Sequence, residues 1–294
     1  MHVIEKHIVP VLTQKFRLSE YIIGKFQSLQ SRQGSKKAIK KNLILVDRSI
    51  GTTATWILGG ETIELIDEEN IPKTYNLPLD IVFEDEYMVI INKPAGLVVS
   101  GNQFKTAANA IISLANKSTV QDALPYPKPV HRLDSGTSGL LIFAKTRSAL
   151  IALGNMFQSK SIRKEYLAIV TGKLNGNGDI TKPIDDYECH SSYSTVKSVP
   201  SLKNNWLTLV KLSPHTGRTH QLRIHMASIG HPIFGDKLYG NEGEIYEGKG
   251  LFLTAVKLSF EHPVLKNNLN IEIPMPNKFD SLLKREERRW NKYH

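Results

Sequence analysis

Cysteine is almost missing from this chain: Cys189 is the only one among 294 residues. A single thiol excludes an internal disulfide and a thiolate metal centre. Its surroundings, Tyr187-Glu188-Cys189-His190-Ser191, read as a surface loop and give no sign of an activated nucleophile. Long hydrophobic runs are missing too. No stretch approaches the ~20 consecutive apolar residues of a membrane span, and the first seven residues lack the basic-then-apolar layout of a secretory signal. A cytoplasmic protein with no membrane partner is expected. Acid is the third shortage, with 28 Asp and Glu against 38 Lys and Arg.

The resulting net charge of +10 suits a polyanionic partner, because each cation that meets a phosphate releases counterions. Surplus lysine can also serve solubility alone. Clustering favours the first reading: Arg32, Lys36, Lys37, Lys40, Lys41 and Arg48 crowd one N-terminal segment against a single acid, Asp47. Nucleic acid is the expected partner class.

Residues 67–78 are polar, acidic and bounded by prolines, so they read as a linker. The expected division is a small domain over residues 1–70, a linker over 71–79 and a large domain over 80–294. In the small domain, helices are expected at Leu18 to Leu29 and across the basic stretch Ser35 to Lys41, with strands at Leu43 to Val46 and Thr62 to Ile66. In the large domain, strands are expected at Tyr87 to Asn92, Leu140 to Ala144, Tyr166 to Val170 and Trp206 to Leu212, and helices at Thr106 to Ala115 and Arg147 to Ser159. Helices and strands do not alternate regularly. The fold class is therefore α+β with a mixed, largely antiparallel sheet.

The most informative stretch is His131-Arg132-Leu133-Asp134, which delivers a lone carboxylate beside an arginine. It lies between an extended, proline-bounded approach (Pro125, Pro127, Pro129) and a Gly136-Thr137-Ser138-Gly139 turn. Loops held by regular elements on both sides carry function more often than packing. A helix over Thr216 to Ile229 would put Leu222, Met226 and Ile229 on one face and turn Arg223 away from it, towards a site or equally towards solvent.

Three tempting signals fail. Gly139 to Thr146 resembles a phosphate-cradling loop in length, but its apolar interior marks a strand. His215, His220 and His225 recur every five residues, which scatters them over different helical faces, and no carboxylate or cysteine completes a zinc set. His131 and Ser138 lack the Gly-x-Ser-x-Gly elbow of a hydrolase. What remains is a carboxylate acting as nucleophile or base beside a cation, with an RNA nucleotide flipped from its stack as the target.

These residues resemble the RluA-type pseudouridine synthases. The resemblance covers about residues 80–275 and rests on four separated motifs. They are Asn92-Lys93-Pro94-Ala95-Gly96-Leu97, then His131 to Asp134 running on to Lys145, Lys164-Glu165-Tyr166 with Gly172, and Thr216 to His225 continuing to Gly235-Asp236. It implies the pseudouridine synthase fold and isomerisation of uridine in RNA without a cofactor or metal. By resemblance, Asp134 is the catalytic carboxylate and Arg223 its salt-bridge partner. Tyr166 packs on the uracil, and Arg132 holds the RNA open where the base has left. Asp134 could add to the ribose anomeric carbon, add to the uracil ring, or remove the ribose 2′ hydrogen. Each needs a carboxylate in the same place.

The first 70 residues resemble, more faintly, a small α/β RNA-binding domain of the S-four type. The usual Asn-Gly turn is Asp47-Arg48 here. A separate departure lies in the catalytic part, where Leu251-Phe252-Leu253-Thr254-Ala255 has Thr254 at a place where a histidine is common. Ribosomal RNA is the expected substrate, with transfer RNA or a catalytically inactive RNA-binding relative as alternatives. No obligate protein partner is expected, and the chain should be a monomer.

Overall fold

The computed structural model describes residues 3–66, 73–240, 248 and 250–294. Residues 67–72 of the expected linker lie outside the described residues. The chain divides into two compact units, Met1–Ile71 and Pro72–His294.

In the first unit, β1 (Val3–Ile8), β6 (Thr62–Ile66), β3 (Ile44–Val46) and β4 (Ser49–Ile50) form an antiparallel sheet in that order. A short pair, β2 (Phe16–Arg17) with β5 (Trp56–Ile57), and helices α1 (Leu18–Tyr21) and α2 (Arg32–Lys40) complete it. The helix expected to run to Leu29 stops at Tyr21. Leu18, Ile22 and Phe26 are all buried, so the four-residue spacing did mark a core face, but Gly24 at φ 71° turns the chain. Helix α2 starts earlier than expected because the Ser31 side chain accepts from the Gly34 N–H. It buries Ser35, Ala38 and Ile39 and exposes Arg32, Lys36, Lys37 and Lys40. Asp47 and Arg48 both take positive φ, 47° and 66°, as a two-residue hairpin turn of this hand requires.

The second unit is built on a ten-stranded sheet. In chain order its elements are β7 (Asp80–Glu84), β8 (Met88–Lys93), α3 (Ala107–Ile111), β9 (Ala123–Pro129), β10 (Ser138–Thr146), α4 (Arg147–Gln158) and β11 (Arg163–Thr171). Then follow β12 (Asn177–Ile180), β13 (Ser191–Ser201), β14 (Asn205–Pro214), α5 (Gln221–Ser228), β15 (Leu253–Glu261), β16 (Asn268–Glu272) and α6 (Asn277–Tyr293). The strand order is β12-β13-β14-β11-β15-β10-β8-β7, with β16 on β15 and β9 on β10. Among the described strands, every pairing is antiparallel except β10 with β15. The α+β fold class thus stands, with a mixed sheet that is largely antiparallel.

Strands β8 and β10 are apolar without a break because both of their faces are covered. Val89, Ile91, Leu141 and Phe143 pack on the side of α3, while Met88, Ile90, Leu140 and Ile142 pack with Ala149 and Leu153 of α4. Cys189 is buried, 3% exposed, and not on a surface loop as expected; Tyr187 and Glu188 beside it are the exposed residues. Thr254 is fully buried, and its hydroxyl has no hydrogen-bond partner among the described residues.

The parallel junction depends on one glycine. Gly139 adopts φ 111°, and a Cβ there would lie 2.1 Å from the Ala255 carbonyl oxygen. Any side chain would push β10 off β15 five residues after Asp134. Gly139→Ala should therefore cost on the order of 3 kcal/mol, read as a lower urea midpoint. Gly154→Ala, within α4 where a Cβ meets nothing within 4 Å, should raise stability by about 0.5–1 kcal/mol. Equal effects of the two substitutions would contradict this picture of the junction.

Candidate active site

Asp134 sits in the connection from β9 to β10, where its carbonyl accepts from the Thr137 N–H at 3.0 Å. The turn after β8 closes against this loop: the Gly96 N–H donates to the Ser135 carbonyl at 2.7 Å. Lys93 secures both. Its ammonium is fully buried and donates to the carbonyls of Leu97 at 2.7 Å, Pro94 at 3.0 Å and Ser135 at 3.3 Å. Burial pushes its pKa down to about 8, against the pull of the Asp134 carboxylate. Two motifs separated by some forty residues are thus one structural unit.

His131 borders the second cavity, but its ring is committed elsewhere. Its Nε2 accepts from the Ile142 N–H at 3.0 Å, and its ring stacks on Phe157 with centroids 4.4 Å apart. Burial, with a smaller push from Lys164, takes its pKa down to about 3. A neutral imidazole committed to a backbone donor cannot serve Ser138, which removes the hydrolase reading.

Arg223 lies on α5. The expected helix from Thr216 begins only at Gln221, because His220 takes a left-handed φ of 56°. The Gln221 side chain holds the preceding loop, accepting from Thr216 Oγ1 at 2.7 Å and the Arg218 N–H at 3.0 Å, and donating to Ser191 Oγ at 2.8 Å. Leu222 and Met226 face the core, whereas Ile229 is 37% exposed. Arg223 is buried and points into the site.

Its closest partner is not Asp134. Arg223 Nε and Nη2 donate to the two oxygens of Asp236 at 2.6 and 2.7 Å, a bidentate pair, while Nη1 stands 3.9 Å from Asp134 Oδ2. The fully buried Asp236 carboxylate also accepts from the backbone N–H groups of Leu238 and Tyr239. Burial opposes charge on both partners, but their pairing outweighs it: the Asp236 pKa falls and the Arg223 pKa rises. The backbone can make this turn because Gly235 takes φ 81° with its Cα against the Gly250 carbonyl, where a Cβ would come within 2.0 Å.

Asp134 is thus faced by Arg223 at 3.9 Å and by His220 Nε2 at 3.8 Å. His220 Nδ1 in turn meets the Tyr239 hydroxyl at 3.1 Å, and the Arg223 guanidinium lies 5.1 Å from the Tyr239 ring centre. Tyr166 approaches on β11. Burial, then the charge of Asp134, holds its phenol well above the usual pKa, so it is neutral.

Two adjoining cavities of about 610 and 560 Å³ share Arg132, Leu133, Asp134, His220 and Arg223. The first also takes in Asp236; Tyr166 and Lys164 line the second. Arg132 is exposed at their edge, and among the described residues no side chain pairs with it. The structure therefore brings Asp134, Arg132, Tyr166 and Arg223 to one place. Sequence reasoning assigned no role to Asp236, Tyr239 or Lys93, although Gly235-Asp236 and Lys93-Pro94 stood in the quoted motifs, and it raised His220 as a candidate only within the rejected zinc set. The three histidines set aside as a zinc set go separate ways. His220 faces Asp134, while His225 is buried between Ser191 Oγ and the Lys182 carbonyl. His215 lies at the cavity rim.

A family model described as RNA pseudouridylate synthase matches residues 87–228. A protein of Vibrio cholerae named ribosomal large subunit pseudouridine synthase D is 35% identical over 277 residues, covering 84% of each chain. The protein of the same name from Buchnera aphidicola is 35% identical over 297 residues, covering 90% of this chain and 93% of its own. A solved structure of human RNA pseudouridylate synthase domain containing 1 has a TM-score of 0.57 at 20% identity, over 73% of this chain and 96% of that one. It shares the fold. With relatives this similar over most of its length, the chain belongs to the RNA pseudouridine synthase family and is an isomerase of that kind.

Proposed function

We propose that the chain isomerises uridine to pseudouridine in large-subunit ribosomal RNA, with Asp134 as the catalytic carboxylate. The observation that carries this reading is an Asp134 carboxylate open to two cavities, with no side chain within hydrogen-bond distance among the described residues. Arg223 and His220 face it without occupying its oxygens. The target uridine leaves its stack and enters beside Tyr166, whose neutral ring packs on the uracil. Arg132 fills the gap left in the RNA.

Asp134 starts the cleavage of the bond between uracil N1 and ribose C1′. The uracil then turns within the enclosed site, C5 bonds to C1′ as any bond to Asp134 is released, the C5 proton passes to water, and N1 takes up a proton. Enclosure is essential, because a uracil that escaped would leave an abasic site. Tyr166 enters this sequence neutral and acts by packing. The ribosomal target comes from the names of the relatives. An auxiliary basic domain supports it: α2 exposes four cations, and the exposed Trp56 ring carries Arg17 at 3.9 Å and Lys15 at 4.6 Å. We assign residues 1–70 as an S-four-type RNA clamp and 80–294 as the catalytic domain, acting in the cytoplasm.

Tritium at uracil C5 reports the reaction, since each turnover releases it to water. Wild-type protein should release it from ribosomal RNA and Asp134→Asn should not, while RNA affinity stays within about tenfold because phosphate contacts dominate binding. Turnover by that variant would refute the role of Asp134. Deleting residues 1–66 should weaken RNA binding and leave the catalytic domain folded by circular dichroism; unchanged affinity would refute the clamp. Asp236→Asn should lower stability by about 3–5 kcal/mol, the cost of breaking a buried pair. Because the folded pKa of Asp236 is depressed, its contribution is full above ~3.9 and is lost as pH falls through the folded value. The difference between wild type and Asp236→Asn should therefore shrink on acidification, and a pH-independent difference would contradict the assignment.

A further inference from the structure

At the rim of the Tyr166 cavity, three donor side chains converge from separate positions in the sheet. Asp179 lies on β12, His190 immediately before β13 and His215 immediately after β14. The carboxylate oxygen and one nitrogen of each ring all lie within 4.8 Å of one another. Backbone pairing sets this spacing. The His215 N–H donates to the His190 carbonyl at 2.9 Å, the His190 N–H to Thr216 Oγ1 at 3.1 Å, and Asp179 pairs with Ser192 in the ladder between β12 and β13.

The donor chemistry is that of a transition-metal site. Two imidazoles and one carboxylate form the three-ligand set that holds zinc with positions left open. The two rings stack with centroids 4.2 Å apart and 22° between planes. Hydrogen bonds link the donors to one another. His190 Nε2 meets Asp179 Oδ1 at 2.7 Å, and Ser192 Oγ bridges that same oxygen and His215 Nε2 at 2.6 and 2.7 Å. Asp179 and His215 are exposed and His190 is half-exposed, so the rings have room to turn their nitrogens onto one centre.

We propose that Asp179, His190 and His215 bind one divalent transition-metal ion, with zinc the best match to the donor set. The site is separate from Asp134 and joins the cavity only through His215, which lines it. A bound ion would replace the stacked hydrogen-bonded arrangement and add positive charge where the cavity opens. Nothing in the isomerisation requires it.

Calorimetric titration of metal-free, full-length protein with zinc chloride tests the site, with histidine ring resonances followed by NMR. Wild type should take up one ion per chain, with the His190 and His215 resonances moving together. Loss of a direct ligand should weaken binding by more than the ~10–100-fold typical of an outer-shell partner, so Asp179→Asn should show a deficit of that size. The pair His190→Ala with His215→Ala should abolish uptake. Should that pair fail to fold, His215→Gln, which can keep a hydrogen bond to Ser192, should show the same loss. Absence of binding by wild type, or binding unchanged in these variants, would overturn the site.

Discussion

One guanidinium divided between two carboxylates organises this site. Asp236, fully buried and held by two backbone N–H groups, takes the Nε and Nη2 edge of Arg223 and leaves Nη1 facing Asp134 at 3.9 Å. A buried charge is tolerated only when paired, and Asp236 supplies that pairing. Asp134 therefore does not have to bond Arg223 to justify its presence. Its oxygens stay open to the cavities, which a nucleophile or base requires and a tight salt bridge would prevent.

The rest of the fold serves that geometry. Lys93 and Tyr166 come from strands of one sheet, Asp134 from the loop between β9 and β10 of that sheet, and Arg223 from a helix whose entry loop is held by Gln221. The ammonium of Lys93 fastens two loops through three carbonyls. His131, the most conspicuous titratable neighbour of Asp134, is spent on a backbone donor and a stacked Phe157 ring. Gly139 lets β10 run against β15 directly after the loop. Strain is concentrated here as well: His220 holds a left-handed backbone while facing Asp134.

Much of this was legible in the sequence where periodicity or a motif spoke directly. The apolar runs of β8 and β10 read as buried strands, and the spacing of Leu150, Leu153, Met156 and Phe157 read as the helix α4. Residues 131–134 stood out as a carboxylate beside an arginine on a supported loop, and Tyr166 and Arg223 by resemblance. Pairings between distant segments were not legible. Nothing local tells that Arg223 reaches Asp236 thirteen residues on, or that Lys93 lies beneath Ser135. Thr216 to His220 carries helix-compatible residues, yet the Gln221 side chain and the left-handed His220 hold it as a loop. Helix α6 went unanticipated although Phe279, Leu282, Leu283 and Glu286 have the spacing of a buried helical face; its dense charge masked them. Asp179, His190 and His215 are brought together only by the register of β12, β13 and β14.

Family membership fixes the reaction class, and the open carboxylate of Asp134 is the centre proposed for it. The most direct measurement is pseudouridine mapping of ribosomal RNA from cells with and without this chain. Loss of pseudouridine at defined large-subunit positions, restored by the wild-type chain and not by Asp134→Asn, is the predicted result. An unchanged ribosomal map would contradict the assigned substrate, and restoration by Asp134→Asn would contradict the assigned residue.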